Sequence, residues 1–571
     1  MSLFLFPIRQ SCMLVAVLLL TSTAALAQQV PTWEWLTPFR GNQVVSARKI
    51  AIDGVGNSYV TGEFTGQATF GTTTLISRGS NDTFVAKYDA RGACLWVRQA
   101  GATIPNPVQF GPTTTSWGIA VDNQGNAYVT GTCKVRTTFD NVEISPFNGR
   151  NETMFLAKYS AQGSILWAKA YDMGWPGGVA TDTDGTVYVS HAGSAGPNPS
   201  ATLVSKMDGQ GNILWSRGAR GSGSGGGASQ QVKVGPNHEI YLHGNYRYGT
   251  AMDVSDQRST PLSNAGLVTT GIGNSAVFLA RYTATGTLDW VRTGSSPGVF
   301  TYNSGLAVDG AGNAFITGYT MSGGLIFGDL VLAARGEWDA YVVKYDAQGQ
   351  ILWGHQEGSA SVDNGMDIAV DGGGNAYLLG YFYKGRAAFG NVVLDGGSQY
   401  SNLALVKYNP LGRGLWGVTQ QSGDFTPWAL AANRNGDIYL VGEVRNTTQL
   451  GSLSMTISGG SSSPRVESLI AKLKSNQPLV GPGGAVDPVA EGLMPNIITP
   501  NGDGYNDQFK IPALAAEAWS CAVYNRWGVK VFEAPAYRQD WQAEGLGDGL
   551  YYYVLKNRVG QMKKGWVEVR H

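Results

Sequence analysis

The chain has 571 residues and equal numbers of basic and acidic side chains, 41 Lys+Arg against 41 Asp+Glu, so its formal net charge at pH 7 is zero. Only 14% of the residues are charged, and this balance offers neither a basic footprint for nucleic acid nor an acidic tail. Glycine is abundant, with 79 residues, and aromatic residues make up 11%. Many glycines for tight turns, together with many rings for packed strand faces, are typical of an all-β protein.

The first 27 residues have the pattern of a secretory signal peptide. Arg9 precedes an apolar stretch at 12–20, and the small residues of "ALA" at 25–27 fit a cleavage site after Ala27. A transmembrane anchor is the alternative, but the uninterrupted apolar run is too short to span a bilayer comfortably. No later segment is long and apolar enough to span one. We therefore expect an exported mature chain without a transmembrane segment.

Three cysteines remain after removal of this peptide, namely Cys94, Cys133 and Cys521. Three cysteines are too few for a disulfide framework. Cys94 and Cys133 could pair, or they could be small buried residues of strands. The sequence leaves both alternatives open.

Two short motifs alternate along residues 28–475, and each has the pattern of a strand, a turn and a second strand. The first is exemplified by "AVDGAGNAFITG" at 307–318, where Gly and Asn supply the turn because they tolerate positive φ. The second, "VKYDAQGQILW" at 343–353, has "DAQG" as its turn and ends on a Trp. One unit therefore holds four strands. The first motif begins at 51, 120, 180, 232, 307, 369 and 431, and the second at 86, 157, 205, 280, 343 and 406.

Four antiparallel strands repeated seven times predict a β-propeller, in which the Trp that ends each fourth strand packs against the next blade. The seventh unit stops at "AKLKS" (471–475), before its fourth strand. The segment "VPTWEWLTPF" at 30–39 is a Trp-bearing strand with no earlier partner. We therefore predict an all-β fold with a seven-bladed β-propeller closed by the N-terminal strand, where Trp33 or Trp35 fills the missing position. An open solenoid is the alternative.

The first motif resembles the repeat of the bacterial beta-propeller repeat family. Val234 and Asn433 replace its Asp in the fourth and seventh copies, so we expect this Asp to cap a turn rather than bind a metal. The second motif looks like the docking motif of pyrroloquinoline quinone dehydrogenases, which that family uses to lock blades together. No site for that cofactor is recognisable. The hallmark D-x-x-G-N-x-Y-[VIL]-T-G of the first family stands at 53–62, 122–131, 309–318 and, nearly, 371–380.

The end of the chain has a different pattern. Residues 476–494 are rich in Pro and Gly and lack the repeat, which is typical of a linker. Residues 495–571 contain "TPNGDGYND", "YNRWG-x-x-VF" and "DG-x-YYY", and their alternating strands fit a small Ig-like β-sandwich. These motifs closely resemble the gliding motility-associated C-terminal domain of Bacteroidota, the type B sorting domain of the type IX secretion system. The resemblance implies that the type IX secretion machinery is a partner and that the protein is secreted or lies on the outer cell surface.

The sequence contains no catalytic motif such as a nucleophile elbow or a phosphate loop. Two hypotheses remain. The chain could be a noncatalytic cell-surface or secreted propeller that binds a polysaccharide, an envelope component or a protein, for instance in adhesion. It could instead be a secreted enzyme acting on polysaccharide or another polymer at one mouth of the ring. We expect either site in the long loops at 97–117, 191–202 and 245–275, where exposed aromatics would favour binding and clustered carboxylates an enzyme.

The only cofactor candidate is calcium in the C-terminal domain. The loop "NGDGYND" places the oxygen ligands of Asn501, Asp503 and Asp507 in a Gly-rich segment. This spacing could hold Ca²⁺ or form a hydrogen-bonded turn without metal, and the full EF-hand pattern is absent.

A calcium site here predicts that Ca²⁺ raises the thermal unfolding midpoint of the C-terminal domain. The double substitution Asp503→Ala, Asp507→Ala should then abolish this increase, because it removes two of the three oxygen ligands. Calorimetry with excess Ca²⁺ or with a chelator measures both. If Ca²⁺ leaves the parent protein unchanged, the loop is a turn.

Overall fold

All regular elements in the described part of the protein are β-strands, as the sequence predicts. The computed structural model describes residues 31–103, 114–147, 152–192, 201–220, 231–247, 251–252, 267–268, 275–296, 301–457, 465–475, 497–498, 500, 508–509, 519–525, 527–538, 540–557 and 562–569.

In chain order the strands up to residue 475 are β1 (Thr32–Gly41), β2 (Val45–Ile52), β3 (Ser58–Phe64), β4 (Gln67–Phe70), β5 (Thr73–Ile76), β6 (Asp82–Tyr88), β7 (Cys94–Ala102), β8 (Thr114–Val121), β9 (Ala127–Cys133), β10 (Thr137–Phe139), β11 (Val142–Ile144), β12 (Thr153–Tyr159), β13 (Ile165–Tyr171), β14 (Pro176–Thr181), β15 (Val187–Ala192), β16 (Ala201–Met207), β17 (Ile213–Arg220), β18 (Gln231–Val234), β19 (Ile240–Arg247), β20 (Ala251–Met252), β21 (Leu267–Val268), β22 (Ser275–Tyr282), β23 (Leu288–Ser295), β24 (Thr301–Val308), β25 (Ala314–Met321), β26 (Leu325–Phe327), β27 (Leu330–Leu332), β28 (Trp338–Tyr345), β29 (Ile351–Glu357), β30 (Asp363–Val370), β31 (Ala376–Phe389), β32 (Val392–Tyr408), β33 (Gly414–Val418), β34 (Phe425–Ala432), β35 (Ile438–Val444), β36 (Thr447–Leu450), β37 (Leu453–Thr456) and β38 (Glu467–Lys474). The C-terminal strands are β39 (Ile497–Ile498), β40 (Trp519–Asn525), β41 (Lys530–Ala534), β42 (Gly549–Asn557) and β43 (Met562–Val569).

Each repeat unit forms an antiparallel sheet. Every sheet contains four strands at equivalent positions, and some sheets have additional strands. In chain order they are the first sheet (β2-β3-β6-β7), the second (β8-β9-β12-β13), the third (β14-β15-β16-β17), the fourth (β18-β19-β22-β23), the fifth (β24-β25-β28-β29), the sixth (β30-β31-β32-β33) and the seventh (β34-β35-β38-β1). The first strand of each sheet contacts the first strand of the next, and β34 contacts β2. This is an all-β, propeller-like fold.

The N-terminal segment lies in the last of these sheets. β1 pairs antiparallel with β38, with Leu36 opposite Ala471 and Phe39 opposite Ser468. β1 therefore takes the fourth position in this sheet, next to β38. Residues from the two ends of the repeat region thus share one sheet.

The fourth-strand Trp docks on the turn of the following sheet in every sheet except the sixth. The indole N–H of Trp96 donates to the carbonyl of Ala161 over 3.1 Å. Its ring lies against Gly163, where an added Cβ would come within 2.6 Å of the indole. The interaction recurs as Trp35 with Ala90, Trp167 with Gly209, Trp290 with Ala347 and Trp353 with Pro410. Trp35, rather than Trp33, therefore takes the docking position on β1.

The Asp of the first motif caps its turn, as predicted. Asp53 Oδ1 accepts the backbone N–H groups of Val55 and Asn57 over 3.1 and 2.9 Å. Asn433 makes the same two contacts in the seventh copy, with Asn435 and Asp437. These bonds satisfy turn donors that strands cannot reach. The arrangement recurs at Asp122, Asp309 and Asp371.

The predicted alignment of the fourth copy was wrong by one residue. Gly235, not Val234, takes the place of the capping Asp, because its N–H bonds to the carbonyl of Glu239 as the turn requires. His238 occupies the turn-glycine position with φ 64. The Glu239 carboxylate instead accepts the N–H of Asn237 over 2.9 Å. In this copy the capping carboxylate therefore belongs to the residue that ends the turn, whereas the capping side chains of the copies just described belong to the residue that begins the turn.

Short hairpins link neighbouring sheets, and the sequence analysis missed them. β4–β5 extends β1, β10–β11 extends β7, and β26–β27 extends β23. Each turns through two residues, the first with positive φ, at Gly71 (59°), Asp140 (49°) and Gly328 (57°). In the sequence, each of these hairpins is marked by a Phe directly before the turn, as in "ATFG" and "LIFG", and this Phe is buried. Each hairpin lies in one repeat and pairs with the preceding sheet.

The described part of the C-terminal domain is one five-stranded sheet with the order β39-β43-β42-β40-β41. Its core packs Phe509 against Tyr537, Trp541 and Tyr553. The second layer of the predicted sandwich lies outside the described residues. Cys94, Cys133 and Cys521 are all free thiols, so the Cys94–Cys133 pair is not formed.

We expect Gly163→Ala to destabilise the propeller by about 2 kcal/mol or more, because it adds a left-handed Cβ penalty and a clash with Trp96. Gly185→Ala is the matched control, since Gly185 has φ 84 against 85 for Gly163 but nothing within 4 Å of its Cβ position. Thermal unfolding of the full chain compares the two. Equal losses of stability would mean that the docked indole adds nothing.

Candidate functional site

Six of the seven first strands contain a register irregularity at the same place, just after the strand begins. The extra residue has no pairing partner in the ladder, and a bulge of this kind changes the direction of a side chain. We call this end of the sheets, where first strands begin and second strands end, the bulge face. The extra residues include Arg48, Trp117, Ser304, Met366 and Trp428.

The residue pairs beside these bulges differ from sheet to sheet. The positions come from the first and second strands and lie opposite each other in the ladder. Carboxylates occur in the first and seventh sheets, and rings in the fifth and sixth. The pairs are Ser46–Glu63, Thr115–Thr132, Tyr302–Tyr319, Asn364–Tyr381 and Thr426–Glu443. The bulge face therefore has an acidic side and an aromatic side.

The acidic side is built around Arg48. Its guanidinium lies over the ring of Trp428, 4.3 Å from the centroid, and 3.7 Å from a carboxylate oxygen of Glu443. The Ser46 hydroxyl donates to the same Glu443 oxygen over 2.6 Å. We call Arg48, Glu63, Glu443 and Trp428 the Arg48 cluster. It joins side chains of the first and seventh sheets, where the two ends of the repeat region meet.

The two carboxylates of the Arg48 cluster have different environments. Burial raises the pKa of Glu63, while Arg48 and the N–H of Ser116 oppose this change and Glu443 adds to it. Glu443 holds the nearer contacts to Arg48 and Ser46. Burial therefore favours the protonated form of Glu63. A buried carboxyl group whose pKa is raised, beside a second carboxylate and an arginine, is an arrangement that acid–base chemistry can use.

The aromatic side contains a stack of three rings. Tyr302 and Tyr319 lie 4.8 Å apart at 18°, and Tyr319 and Trp338 lie 5.6 Å apart at 11°. All three side chains are half-buried, and burial raises the pKa of Tyr319 to about 12, with Tyr302 and Tyr381 adding to it. We call these three residues the aromatic stack. They present near-parallel ring planes at the junction of the fifth and sixth sheets, since Trp338 bridges to Val362.

The sequence-predicted positions are only partly described. Asn501, Asp503 and Asp507 lie outside the described residues, as do long parts of the three loops expected to carry function. Within the described end of loop 97–117, Trp117 is 42% exposed and belongs to the bulge face. Across the part of the chain that is described, no cluster of three potential metal-ligating side chains occurs. The same part contains no helix able to cross a membrane.

The Arg48 cluster and the aromatic stack were missed from the sequence. For the Arg48 cluster the signal is the variable residue two positions before the recurring I-A-[VI]-D text, as in "RKIAID", "WGIAVD" and "MDIAVD". A search for constant positions does not detect this residue. The change in chemistry at one position of an otherwise regular repeat makes this face the candidate functional site.

Known families match both parts of the chain. A Beta-propeller repeat matches residues 95–132, and a Type IX secretion signal domain matches residues 493–569. The chain therefore contains a stretch similar to a beta-propeller repeat and a C-terminal stretch similar to a type IX secretion signal domain. The signal implies export to the cell surface or secretion.

Several known proteins are similar to this chain. An uncharacterized WD repeat-containing protein of Acanthamoeba polyphaga mimivirus is 23% identical in an alignment of 463 residues that covers 65% of this chain and 32% of the relative. The chain thus spans about a third of that curated relative's length. Among solved structures, the Dos1 propeller has a TM-score of 0.38 at 7% identity and covers 77% of this chain and 95% of its own. The structure of RRP9 WD40 repeats has a TM-score of 0.40 at 10% identity and covers 78% of this chain and 99% of its own. The structure of polysaccharide lyase Uly1 has a TM-score of 0.41 at 9% identity and covers 80% of this chain and 94% of its own.

One buried carboxylate outside the bulge face has a structural role. Glu357 accepts the N–H of Gly390 over 2.7 Å and the hydroxyl of Tyr408 over 3.0 Å. Burial nevertheless raises its pKa from 4.5 to about 7, against the opposing effects of Gly390, Tyr408 and Arg335. The native protein therefore holds this proton where the unfolded chain has released it.

We expect Glu357 to make the free energy of unfolding fall as pH rises from 4.5 to about 7. The contribution is up to about 3 kcal/mol, because one pKa unit corresponds to about 1.4 kcal/mol. Glu357→Gln, which mimics the protonated acid, should flatten this part of the stability profile measured by urea unfolding. Glu337→Gln, at an exposed carboxylate, should keep the parent slope. A parent-like slope in Glu357→Gln would contradict the assignment.

Proposed function

We propose that this protein is an exported, noncatalytic propeller that binds a polysaccharide, another envelope component or a protein with its bulge face. The signal peptide is removed after Ala27, and residues 28–475 form seven blades closed by β1. Support comes from the pairing of β1 with β38 and from the contacts of the first strands from β2 through β34 to β2. After the linker at 476–494, residues 495–571 form an Ig-like sandwich that the type IX machinery recognises. A calcium ion at Asn501, Asp503 and Asp507 stays a prediction.

The observation that carries the binding proposal is the aromatic stack. Near-parallel half-exposed rings at a surface offer flat apolar faces with polar edges, the combination enriched at recognition surfaces. A pyranose ring has C–H groups on its faces that pack on such a platform and hydroxyls that remain in water. Two other aromatic features lie on the bulge face, the exposed Trp117 and the Trp428–Arg48 pair. A polymer is therefore the ligand class that the bulge face suits best.

The alternative, an enzyme acting on polysaccharide or another polymer, has its own observation in its favour. The Arg48 guanidinium lies 3.7 Å from a carboxylate oxygen of Glu443 and acts electrostatically on Glu63, whose pKa is raised by burial. General acid–base catalysis needs one carboxyl that holds a proton and one that is charged. The same experiment separates the two functions.

The mature full-length protein should be retained on an insoluble polysaccharide or on cell envelopes without releasing sugar or peptide into the supernatant. Trp338→Ala should lower the affinity about fivefold, because a stacked aromatic contact contributes on the order of 1 kcal/mol. Trp527→Ala removes an indole that is 76% exposed in the C-terminal domain, and this control should bind like the parent.

Two results would contradict this proposal. Unchanged retention of Trp338→Ala would remove the aromatic stack from the binding site. Product release that Glu63→Gln and Glu443→Gln both abolish would establish the enzyme instead. Circular dichroism of each variant checks that the sheets are intact.

A further inference from the structure

Two turns that pack against each other at the junction of the fifth and sixth sheets have the same construction. Asp339 Oδ2 accepts the backbone N–H of Arg335 over 2.8 Å, and Asp363 Oδ2 accepts that of Ser359 over 2.7 Å. Each carboxylate therefore closes the turn before it with one of its two oxygens. Both carboxylates are fully buried.

The packing of the turns places these two carboxylates side by side. A parallel bridge joins Trp338 to Val362, and Asp339 and Asp363 are the residues that directly follow the two bridge partners. Paired segments lie about 4.8 Å apart, and residues at matching positions of a parallel pair point to the same side. The two carboxylates are therefore neighbours on one side of the bridge.

Both carboxylates also lie over the end of β29. The amide nitrogen of Gln356 donates to Asp339 Oδ2 over 3.0 Å. A Cβ added to Gly358 would come within 2.5 Å of Asp363 Oδ2. Gln356 and Gly358 are two residues apart in extended chain, so they face the same side. Contacts with β29 thus bring Asp339 and Asp363 to one place.

Three side-chain oxygens at this place are buried and have no hydrogen-bond partner within the described residues, namely Asp339 Oδ1, Asp363 Oδ1 and Gln356 Oε1. Gln356 is only 4% exposed. Its nitrogen donates to the Gly323 carbonyl over 2.9 Å as well as to Asp339, so the oxygen is the end of the amide that lacks a partner. Three acceptors without a donor indicate a missing positive charge.

The electrostatics of the pair agree with this interpretation. Two buried carboxylates repel each other unless a cation or a proton lies between them. Burial raises the pKa of Asp363 to about 6, the charge of Asp339 adds to this increase, and the bonds from Ser359 oppose it. Arg335 acts electrostatically on Asp339, but its side chain is exposed.

We propose that Asp339, Asp363 and Gln356, which we call the inter-sheet site, bind a divalent cation such as Ca²⁺. Two carboxylate oxygens and one amide oxygen are hard donors, which Ca²⁺ prefers. The described residues contain no group of three Asp, Glu, His or Cys side chains suited to a metal, and here an amide supplies the third oxygen. The proposal does not rest on ligand binding by the bulge face.

The junction of the first and second sheets provides a matched control. Asp82 closes the equivalent turn with Oδ2, contacts Gln99, and has a buried Oδ1 without a partner within the described residues. Thr114 occupies the position of Asp363, since both lie two residues before the bulge in their first strands. This junction has the same cap but only one carboxylate, so we expect it to bind no cation.

Thermal unfolding of the mature full-length protein tests the inter-sheet site. The parent for this test carries Asp503→Ala and Asp507→Ala, which remove the other calcium candidate. Relative to a chelator, Ca²⁺ should raise its unfolding midpoint in a saturable manner. Asp339→Asn and Asp363→Asn should each abolish this rise, and both should fold because Asn retains the capping oxygen. Asp82→Asn should respond like the parent.

Tb³⁺ gives a readout that does not depend on stability. Tb³⁺ occupies oxygen sites for Ca²⁺ and emits when an adjacent indole is excited, and Trp338 directly precedes Asp339. The emission should appear in the parent, disappear on addition of Ca²⁺, and be absent from Asp363→Asn.

Two results would overturn the proposal. One is an equal rise in midpoint with Ca²⁺ for the parent and Asp363→Asn. The other is no effect of Ca²⁺, together with a loss of parent stability from pH 3.8 to about 6 that Asp363→Asn lacks. The native pair would then hold a proton that the unfolded chain releases, and no cation would be bound.

Discussion

The contact between a fourth-strand indole and the turn of the next sheet holds the repeat units together. Trp96, for example, donates to the Ala161 carbonyl and covers Gly163, so one side chain joins two sheets by a hydrogen bond and by packing. The turn glycine is required twice, for its left-handed φ and for the room it leaves. This coupling explains why the turn Gly and the Trp recur in all six complete copies of the second motif. The resemblance to the motif that locks blades in quinone dehydrogenases therefore extends to the structure of this contact.

The seventh sheet lacks such a turn because its third and fourth strands come from opposite ends of the repeat region. Trp416, at the corresponding position of the sixth sheet, packs instead in a core with Leu469 and Leu473. The ladder between β1 and β38 and the 2.8 Å ion pair of Lys472 with Glu34 join the strands that a turn joins elsewhere. An open cleft of ≈350 Å³, lined by Trp33, Gly417 and Gly451 among others, remains at this junction. The junction is therefore the least uniform contact between sheets.

The strands, the capped turns and the docking Trp could be predicted from the sequence because each depends on a local pattern. Asp53 caps a turn four residues long, and period-two alternation marks the strands around it. The linking hairpins and the bulge face could not be predicted from the sequence. They depend on pairing between different repeats and on register shifts, which the alternation of apolar and polar residues does not reveal. The fourth copy shows the same limit. With His238 at the glycine position and Glu239 as the cap, the sequence offered no marker that distinguished Gly235 from Val234.

The two ends of each sheet thus differ in how much the sequence varies between repeats. The end with the turns is uniform because every unit must accept the indole of its neighbour, and a change there weakens the contact between sheets. The bulge face is free of that requirement, and there the units differ, with carboxylates and Arg48 on one side and the aromatic stack on the other. Departures from the repeat, rather than the repeat itself, therefore carry the ligand chemistry that we propose for this protein.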